Sequence, residues 1–260
     1  MYGGGHLTGK GRSHMAVFVI AEAGSTHDGD LRKAQDLVRV AKDADADAVK
    51  FQLWTSPEAL RLRRHVHNDT AYETGSIRLE WLAVLADQAS RLGLEFLCTV
   101  YCPEDIAVVA PYVDRFKISS FEAEDRSFIW RVHRYGKPII ISCGMDTKID
   151  GTVPGVSYLH CVSAYPTPTA EANIACVARF GGYSDHTTSR ISGALAVAYG
   201  ARIIEKHFRL MTTDPGCPDY PHSLTPSAFG EYVRNIRDAE ALIGDGVKRV
   251  MPSEETNMQY

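Results

Sequence analysis

The sequence lacks any apolar run long enough to cross a membrane, because its longest apolar stretches are strand-sized and interrupted by charge. A membrane-spanning helix needs about 20 consecutive, mostly apolar residues. A secretory signal is missing too, since the glycine-rich, polar segment at residues 1–14 contains no apolar stretch. We interpret residues 1–14 as a leader, residues 15–250 as one domain and residues 251–260 as a tail.

Cysteine pairs of the kind that bind zinc are also missing. No two of the six cysteines are separated by only two residues, and several lie in apolar runs. A thiol in such a run usually acts as a small hydrophobic side chain. This pattern predicts reduced thiols in a cytoplasmic protein and argues against a zinc site. The six are Cys98, Cys102, Cys143, Cys161, Cys176 and Cys217.

The sequence also lacks an excess of positive charge. The formal net charge is −4, and the sequence shows no basic tract and no basic helix face. Nucleic-acid-binding proteins concentrate lysine and arginine on one surface. We therefore predict no nucleic-acid partner and no membrane partner, and any site for an anion has to be local.

What the chain does contain is a regular alternation of short β-rich runs and helical patterns from Ala16 onward. Alternation of this kind is typical of βα units around a parallel sheet. Eight runs predict a closed (β/α)8 barrel, the TIM-barrel fold of the α/β class. The runs cover residues 16–24, 47–54, 94–100, 115–120, 137–144, 156–163, 180–186 and 201–208.

Apolar residues at three- and four-residue spacing predict helices in most of the connections. The fifth connection, between Met145 and Val156, contains two glycines and a proline. We therefore expect the fifth helix to be short or missing, and the sixth to be short. The predicted helices cover residues 31–44, 78–92, 103–112, 124–135, 189–199 and 226–242.

Two lysines stand inside apolar, strand-like runs: Lys50 in AVKFQLW and Lys117 in RFKISSFE. An unpaired buried ammonium costs several kcal/mol, so each lysine must reach water or meet an anion. The alternative is that each side chain extends along the barrel wall into solvent. Hydroxyl residues at matching strand ends favour one ligand with two anionic groups, such as a phosphate and a carboxylate. They are Thr99, Ser120, Ser142 and Ser184.

His186 and His207 lie at the ends of strands seven and eight, which are neighbours in a barrel. Two neutral imidazoles on adjacent strands suit one divalent metal ion with open positions for oxygen ligands. Manganese is the first choice, with magnesium, cobalt or iron as alternatives. Glu22 on strand one lies near the metal as a ligand, a partner of a ligand or a substrate anchor. A lone histidine is usually a structural hydrogen-bonding group, and His160 and His27 are assigned that role.

Three carboxylates follow strand ends. Glu122 is placed to move a proton or to bind a sugar hydroxyl. Asp185 either orients His186 or caps the following helix. Asp219 lies in a long loop after strand eight that is able to close over the barrel mouth, although a turn aspartate is the alternative.

Seven motifs, in this order, resemble the catalytic barrel of the N-acetylneuraminate (sialic acid) synthase family and its legionaminate and pseudaminate relatives. The resemblance covers roughly residues 16–242. It implies condensation of phosphoenolpyruvate with an N-acylated hexosamine aldehyde, which releases phosphate and forms a 2-keto sugar acid. The motifs are IAEAGSTHDGD, AVKFQLW, FKISSFE, ISCGM, LHCVSAYPTP, GYSDHT and GARIIEKHF.

The resemblance also implies a role for each matching residue. Catalytic roles go to Glu22, Lys117 and Glu122, and the metal ligands are His186 and His207. The implied phosphoenolpyruvate contacts are Lys50, Thr99, Lys117, Ser120, Ser142 and Ser184. The implied sugar contacts are Glu22, Gln52, Tyr165, Glu122 and Asp219.

The chain departs from the family pattern at several points. Family members continue into an antifreeze-like domain that covers the partner's sugar site with an arginine, whereas this chain ends at Tyr260. Cys143 replaces the threonine of the family's STGM motif, and Ser163 replaces a frequent asparagine. These changes surround the ligand mouth, so we expect a differently decorated aldehyde to be an option. A homodimer is predicted to bury the gap left by the fifth helix.

Two alternatives stay open at this point. One is a 3-deoxy-sugar-acid synthase that acts on an aldose phosphate, which extra arginines near the mouth would favour. Arg61, Arg63 and Arg64 follow strand two, although an exposed basic helix is their simpler interpretation. The other is a non-catalytic or partner-dependent barrel of the same family. Retention of both lysines and both histidines argues against loss of the site.

Overall fold

The computed structural model of the protein describes residues 16–64, 71–145 and 153–259, and its centre is a closed barrel of eight parallel strands in sequence order. The predicted (β/α)8 barrel is therefore confirmed, with a strand inside each of the eight predicted runs. The strands are β1 Phe18–Glu22, β2 Ala48–Leu53, β3 Glu95–Val100, β4 Phe116–Ile118, β5 Ile139–Cys143, β6 Val156–His160, β7 Gly182–Asp185 and β8 Ile203–His207.

Alternation along the strands separates two apolar layers, because successive side chains of a strand point to opposite faces. On β2, Ala48 belongs to a small cluster in the barrel interior, together with Ile20 and Leu97. Val49 and Phe51 belong to the larger cluster between the barrel and the helices. Lys50 lies on the same face of β2 as Ala48 and two positions closer to the carboxyl end of the strand. Its side chain therefore faces the barrel mouth.

The helices cover the outside of the barrel, and side chains satisfy the first backbone N–H groups of several of them. Asp30 caps α1, Asp125 caps α6 and Thr225 caps α9. The helices are α1 Leu31–Asp43, α2 Pro57–Arg64, α3 Ala71–Thr74, α4 Leu82–Arg91, α5 Pro103–Val109, α6 Arg126–His133, α7 Val177–Phe180, α8 Ser192–Ala198 and α9 Pro226–Ile243.

The connections after β5 and β6 depart from a regular barrel. The predicted loss of the fifth helix falls mainly on residues 146–152, which lie outside the described residues, and no helix occupies the described ends of that connection. The sixth connection contains only α7, which is four residues long, and short 3-10 turns before it. The segment interpreted as a leader also lies outside the described residues. Among the helices that the structure describes, none is long and apolar enough to cross a membrane.

Candidate active site

A cavity of about 310 Å³ opens at the carboxyl ends of the barrel strands. Because the strands are parallel, residues distant in sequence meet at this end. Twelve of the thirteen predicted site residues line the cavity, so the structure brings them together. They are Glu22, Lys50, Gln52, Thr99, Lys117, Ser120, Ser142, Tyr165, Ser184, His186, His207 and Asp219.

The floor of the cavity is a cluster of buried charges. Lys50 Nζ and Lys117 Nζ each lie 3.5 Å from a carboxylate oxygen of Glu205, and all three side chains are almost completely buried. Although burial alone raises the pKa of Glu205, the two ammonium groups lower that pKa to about 2. Both lysines therefore point at one place, as the sequence predicted, and they share a carboxylate to which the sequence pattern had assigned no role.

Hydroxyl groups surround the two lysines. Lys50 Nζ donates to Thr99 Oγ1 at 2.8 Å, and Lys117 Nζ donates to Ser142 Oγ at 2.8 Å. Ser184 Oγ donates to Glu205 Oε1 at 2.8 Å. These contacts connect the residues predicted to hold an anion, and each hydroxyl is able to turn toward a ligand oxygen. Ser120, the fourth predicted hydroxyl, pairs with Ser163 at 2.8 Å.

Glu22 at the end of β1 forms a short ion pair with Lys50. Burial raises the pKa of Glu22 to about 7, although Lys50 opposes this effect. The pKa of Lys50 lies above its ordinary value, because the nearby carboxylates of Glu205 and Glu22 outweigh the effect of burial. Burial lowers the pKa of Lys117, whose carboxylate neighbour is more distant. The floor therefore combines an ionised carboxylate with one that titrates near neutral pH.

Another side of the cavity carries imidazoles. His186 and His207 are buried with ring centroids 5.6 Å apart, as their neighbouring strands predict. His186 Nδ1 contacts Val162 O at 2.8 Å, which leaves Nε2 toward the cavity. Burial lowers the pKa of His186 to about 4 and that of His207 well below its ordinary value. Both rings are neutral at pH 7, which is the state that ligates metal ions.

Asp219 reaches this side from the loop after β8. Its Oδ2 accepts hydrogen bonds from Ser25 N at 2.7 Å and Ser25 Oγ at 2.8 Å. Its Oδ1 lies 3.4 Å from Nε2 of His222, which is a third buried imidazole beside His207. Although burial raises the pKa of Asp219, these histidines and the bonds from Ser25 hold it far below its ordinary value. Imidazole nitrogens and an ionised carboxylate are suitable donors for a divalent transition metal ion.

Gln52 and Tyr165 lie on the cavity wall, where a sugar contact was predicted. Tyr101 Oη donates to Gln52 Oε1 at 2.7 Å, and Gln52 Nε2 donates to Gly75 O at 3.2 Å. The ring of Tyr165 packs 4.3 Å from that of His186, and the residue remains 44% exposed. An exposed aromatic group and a side-chain amide provide a surface for a hydroxylated ligand.

Glu122 is the predicted site residue that the structure leaves off the cavity wall. Its carboxylate accepts two hydrogen bonds of 3.1 Å from Arg64 at the end of α2 and contacts Ser119. Arg64 lines the cavity in its place and packs over the rings of Tyr101 and Phe121. The catalytic role of Glu122 stays a prediction.

Among the cavity residues that were not assigned to it from the sequence, three carry a charged group or an imidazole. Glu205 stands two positions before His207 on β8, so strand alternation was a signal that could have found it. Arg64 lies in a basic helix segment whose simpler interpretation was exposure to solvent. His222 follows an irregular stretch with three prolines, where no periodicity indicates which way a side chain points.

Comparison with known proteins shows the family of this chain. A family model described as the NeuB family matches residues 37–248. The chain belongs to the NeuB family.

Similar proteins include a legionaminic acid synthase and a pseudaminic acid synthase. The N,N'-diacetyllegionaminic acid synthase of Legionella pneumophila is 33% identical over 93% of this chain and 77% of its own length. The pseudaminic acid synthase of Campylobacter jejuni strain 81-176 is 31% identical over 88% of this chain and 76% of its own length. These matches confirm the predicted family and the assignment of the chain as a synthase.

A solved structure in the NeuB family supports the same conclusion. The N-acetylneuraminic acid synthetase of Leptospira borgpetersenii, solved with citrate, is 26% identical. The match covers 95% of this chain and 91% of that chain with a TM-score of 0.79. A truncated 3-deoxy-D-arabino-heptulosonate 7-phosphate synthase of Thermotoga maritima has a TM-score of 0.66 at 14% identity, which shows a shared fold alone.

Proposed function

We propose that the protein condenses phosphoenolpyruvate with a sugar aldehyde in a reaction that depends on a divalent metal ion, forming a 2-keto sugar acid and phosphate. The observation that carries this proposal is the convergence of Lys50 and Lys117 on one point of the cavity floor. Two buried ammonium groups on one cavity floor suit a ligand with both a phosphate and a carboxylate. The names of similar synthases support the same reaction class.

The lysines and hydroxyls of the floor would hold phosphoenolpyruvate at both of its anionic ends. Lys50 with Thr99 forms one cationic group, and Lys117 with Ser142 forms another. Fixed donors in a buried site stabilise negative charge without a reorganisation cost during the reaction. Partial protonation of Glu22 near neutral pH leaves the floor more positive, which favours an anionic ligand.

The chemistry requires one new carbon–carbon bond and one departing phosphate. C3 of phosphoenolpyruvate would bond to the aldehyde carbon, whose oxygen takes a proton. Water then adds at C2, and phosphate leaves as the C2 carbonyl forms. A divalent metal ion held on the histidine side would polarise the aldehyde oxygen. His186, His207 and Asp219 would fix the aldehyde end, while the lysines hold the anion in position for attack.

The arginines near the mouth favour an unphosphorylated sugar over an aldose phosphate. Arg61 contacts Glu73, and Arg63 Nη2 lies 2.7 Å from Asp125 Oδ2, so both are paired with carboxylates outside the cavity lining. Arg64 does line the cavity, but its charge is opposed by Glu122. We therefore propose an N-acylated hexosamine-type aldehyde, in keeping with the products named for the relatives.

Phosphate release from phosphoenolpyruvate tests the proposal. Purified protein is assayed with Mn²⁺ against N-acylhexosamines, free aldoses and aldose phosphates, and products are identified by mass spectrometry. Release together with a new 2-keto acid from an N-acylhexosamine is expected, and chelation of the metal should stop it. A product formed from an aldose phosphate alone would replace this proposal with the 3-deoxy-sugar-acid alternative. Tight binding of phosphoenolpyruvate and metal without release in any assay would favour a partner-dependent barrel.

The metal preference and the oligomeric state are proposals of the same kind. We propose Mn²⁺ as the preferred ion, because an imidazole and carboxylate donor set suits it better than Mg²⁺. Activity of the stripped protein with each ion in turn measures this preference. Size-exclusion chromatography with light scattering measures the molar mass of the protein and so tests the predicted homodimer. The mass of a monomer would contradict it.

A further inference from the structure

The turn after β8 carries a buried histidine that the predicted metal pair did not include. The residues Tyr220–His222 form a single 3-10 turn directly after Asp219. This turn places the ring of His222 4.5 Å, centroid to centroid, from that of His207 at an angle of 71°. His222 is only 1% exposed although it lines the cavity. A loop therefore directs this polar ring into the site, and the alternation of a strand does not determine its direction.

Three side chains around this turn offer metal-ligating atoms at short range. One such atom from each of His207, Asp219 and His222 lies within 4.8 Å of the other two. Asp219 stands between the two rings, with Oδ1 3.4 Å from His222 Nε2 and Oδ2 4.0 Å from His207 Nδ1. Two imidazoles and one carboxylate on one side of an ion leave its other positions open for substrate oxygens and water.

The hydrogen bonding of these rings is incomplete. Among the residues that the structure describes, no hydrogen bond reaches either ring nitrogen of His222 or Nδ1 of His207. A buried polar atom without a partner destabilises the folded protein, so each such atom calls for a ligand. A metal ion between the rings would supply a partner for one nitrogen of each ring.

His186 has a different environment. Its Nδ1 contacts Val162 O at 2.8 Å, and its Nε2 lies 3.5 Å from Ser184 Oγ on the side of the phosphate-binding hydroxyls. Its ring centroid is 6.4 Å from that of His222 and 5.6 Å from that of His207. The closest imidazole pair of the cavity is therefore His207 with His222.

We propose that His222 is a further metal ligand of this chain, which joins His207 and Asp219 in holding a divalent transition metal ion. This inference rests on the proposed function only in that the ion serves the same cavity. It extends the sequence-based pair of His186 and His207, because the loop after β8 adds His222 as a donor.

Metal binding, measured without substrates, tests the proposal. The full chain is stripped of metal and titrated with Mn²⁺ by calorimetry, and spin-echo electron paramagnetic resonance counts the coordinated imidazole nitrogens. His222→Asn is expected to weaken Mn²⁺ binding by about tenfold or more and to remove one coordinated imidazole. The control is His133→Asn at the end of α6, which should bind Mn²⁺ like the wild type. Circular dichroism checks that each variant is folded.

A second variant keeps the test decisive if His222→Asn does not fold. His186→Asn should retain two coordinated imidazoles, those of His207 and His222. A single remaining imidazole in His186→Asn, or wild-type Mn²⁺ affinity in folded His222→Asn, would overturn the proposal. Absence of Mn²⁺ binding by the wild type would overturn it together with the metal dependence of the reaction. Mn²⁺ bound by His222 without any phosphate release would leave this inference standing and contradict the proposed function alone.

Discussion

Lys206 and Asp185 form an ion pair that solvent does not reach, with 2.9 Å between Lys206 Nζ and Asp185 Oδ2. The two residues are register partners on β8 and β7, and each directly precedes a histidine of the cavity. Tyr232 of α9 donates a hydrogen bond to Asp185 at 3.0 Å from outside the barrel. This pair ties together the two strands that present His186 and His207.

Lys206→Met is expected to lower the free energy of unfolding by about 3 kcal/mol, because it leaves the Asp185 carboxylate buried without its cation. The measurement is urea unfolding followed by circular dichroism. The matched control is Arg190→Met, which breaks the exposed 2.8 Å pair with Glu231 and should cost less than about 1 kcal/mol. Equal costs for the two variants would show that the buried pair does not stabilise the barrel.

Lys117→Met is expected to lower phosphate release from phosphoenolpyruvate by about a hundredfold or more, because one of the two ammonium groups at the floor is lost. Steady-state kinetics with Mn²⁺ measure the effect, and circular dichroism checks the fold. Lys42→Met on the exposed face of α1 serves as the control and should keep the wild-type rate. A wild-type rate in Lys117→Met would remove this lysine from the proposed mechanism.

The raised pKa of Glu22 predicts that the stability of the protein depends on pH. This pKa is raised from 4.5 to about 7 in the folded protein, chiefly by burial. The folded state therefore keeps a proton that the unfolded chain has released. The stabilisation of the folded state by this proton is complete below about pH 4.5 and is lost as pH rises through 7. Between pH 5 and 8 the unfolding free energy of the wild type should fall, relative to that of Glu22→Gln, by about 3 kcal/mol.

Urea unfolding of both proteins across this pH range gives the comparison. Glu80→Gln replaces an exposed carboxylate and should show no such difference from the wild type. A constant difference between wild type and Glu22→Gln from pH 5 to 8 would contradict the raised pKa.

Gly24 is predicted to be essential for the position of Asp219. A Cβ at Gly24 would lie 2.2 Å from Asp219 Oδ2 and 3.3 Å from Glu22 Oε1, and its φ is +49°. Gly24→Ala should therefore displace the Asp219 carboxylate and weaken Mn²⁺ binding by about tenfold or more. Calorimetric titration with Mn²⁺ measures the effect.

Gly29→Ala is the matched control, because Gly29 has a φ of +70° but, within the described part of the chain, no neighbouring atom lies within 4 Å of the position that a Cβ would take. It should lower stability by about 1 kcal/mol through backbone strain alone and leave Mn²⁺ binding unchanged. Equal losses of Mn²⁺ affinity in the two alanine variants would assign the effect to the backbone and not to Asp219.

The amino-acid sequence by itself determined the barrel and most of its mouth. Regular alternation of β-rich and helical segments predicts parallel strands, and parallel strands bring their carboxyl ends to one side. Lys50, Lys117 and His207 could therefore be placed in the cavity from their positions at strand ends. Strand alternation contains the same information about Glu205, which shares a face of β8 with His207.

Only the tertiary structure decided what the loops contribute, because no periodicity constrains where a loop side chain points. Arg64 enters the cavity and pairs with Glu122, so that a predicted catalytic carboxylate lies off its wall. His222 turns inward because the 3-10 turn after Asp219 packs against His207. Contacts of this kind join residues that are far apart in the chain, and they form only once the barrel has closed around them.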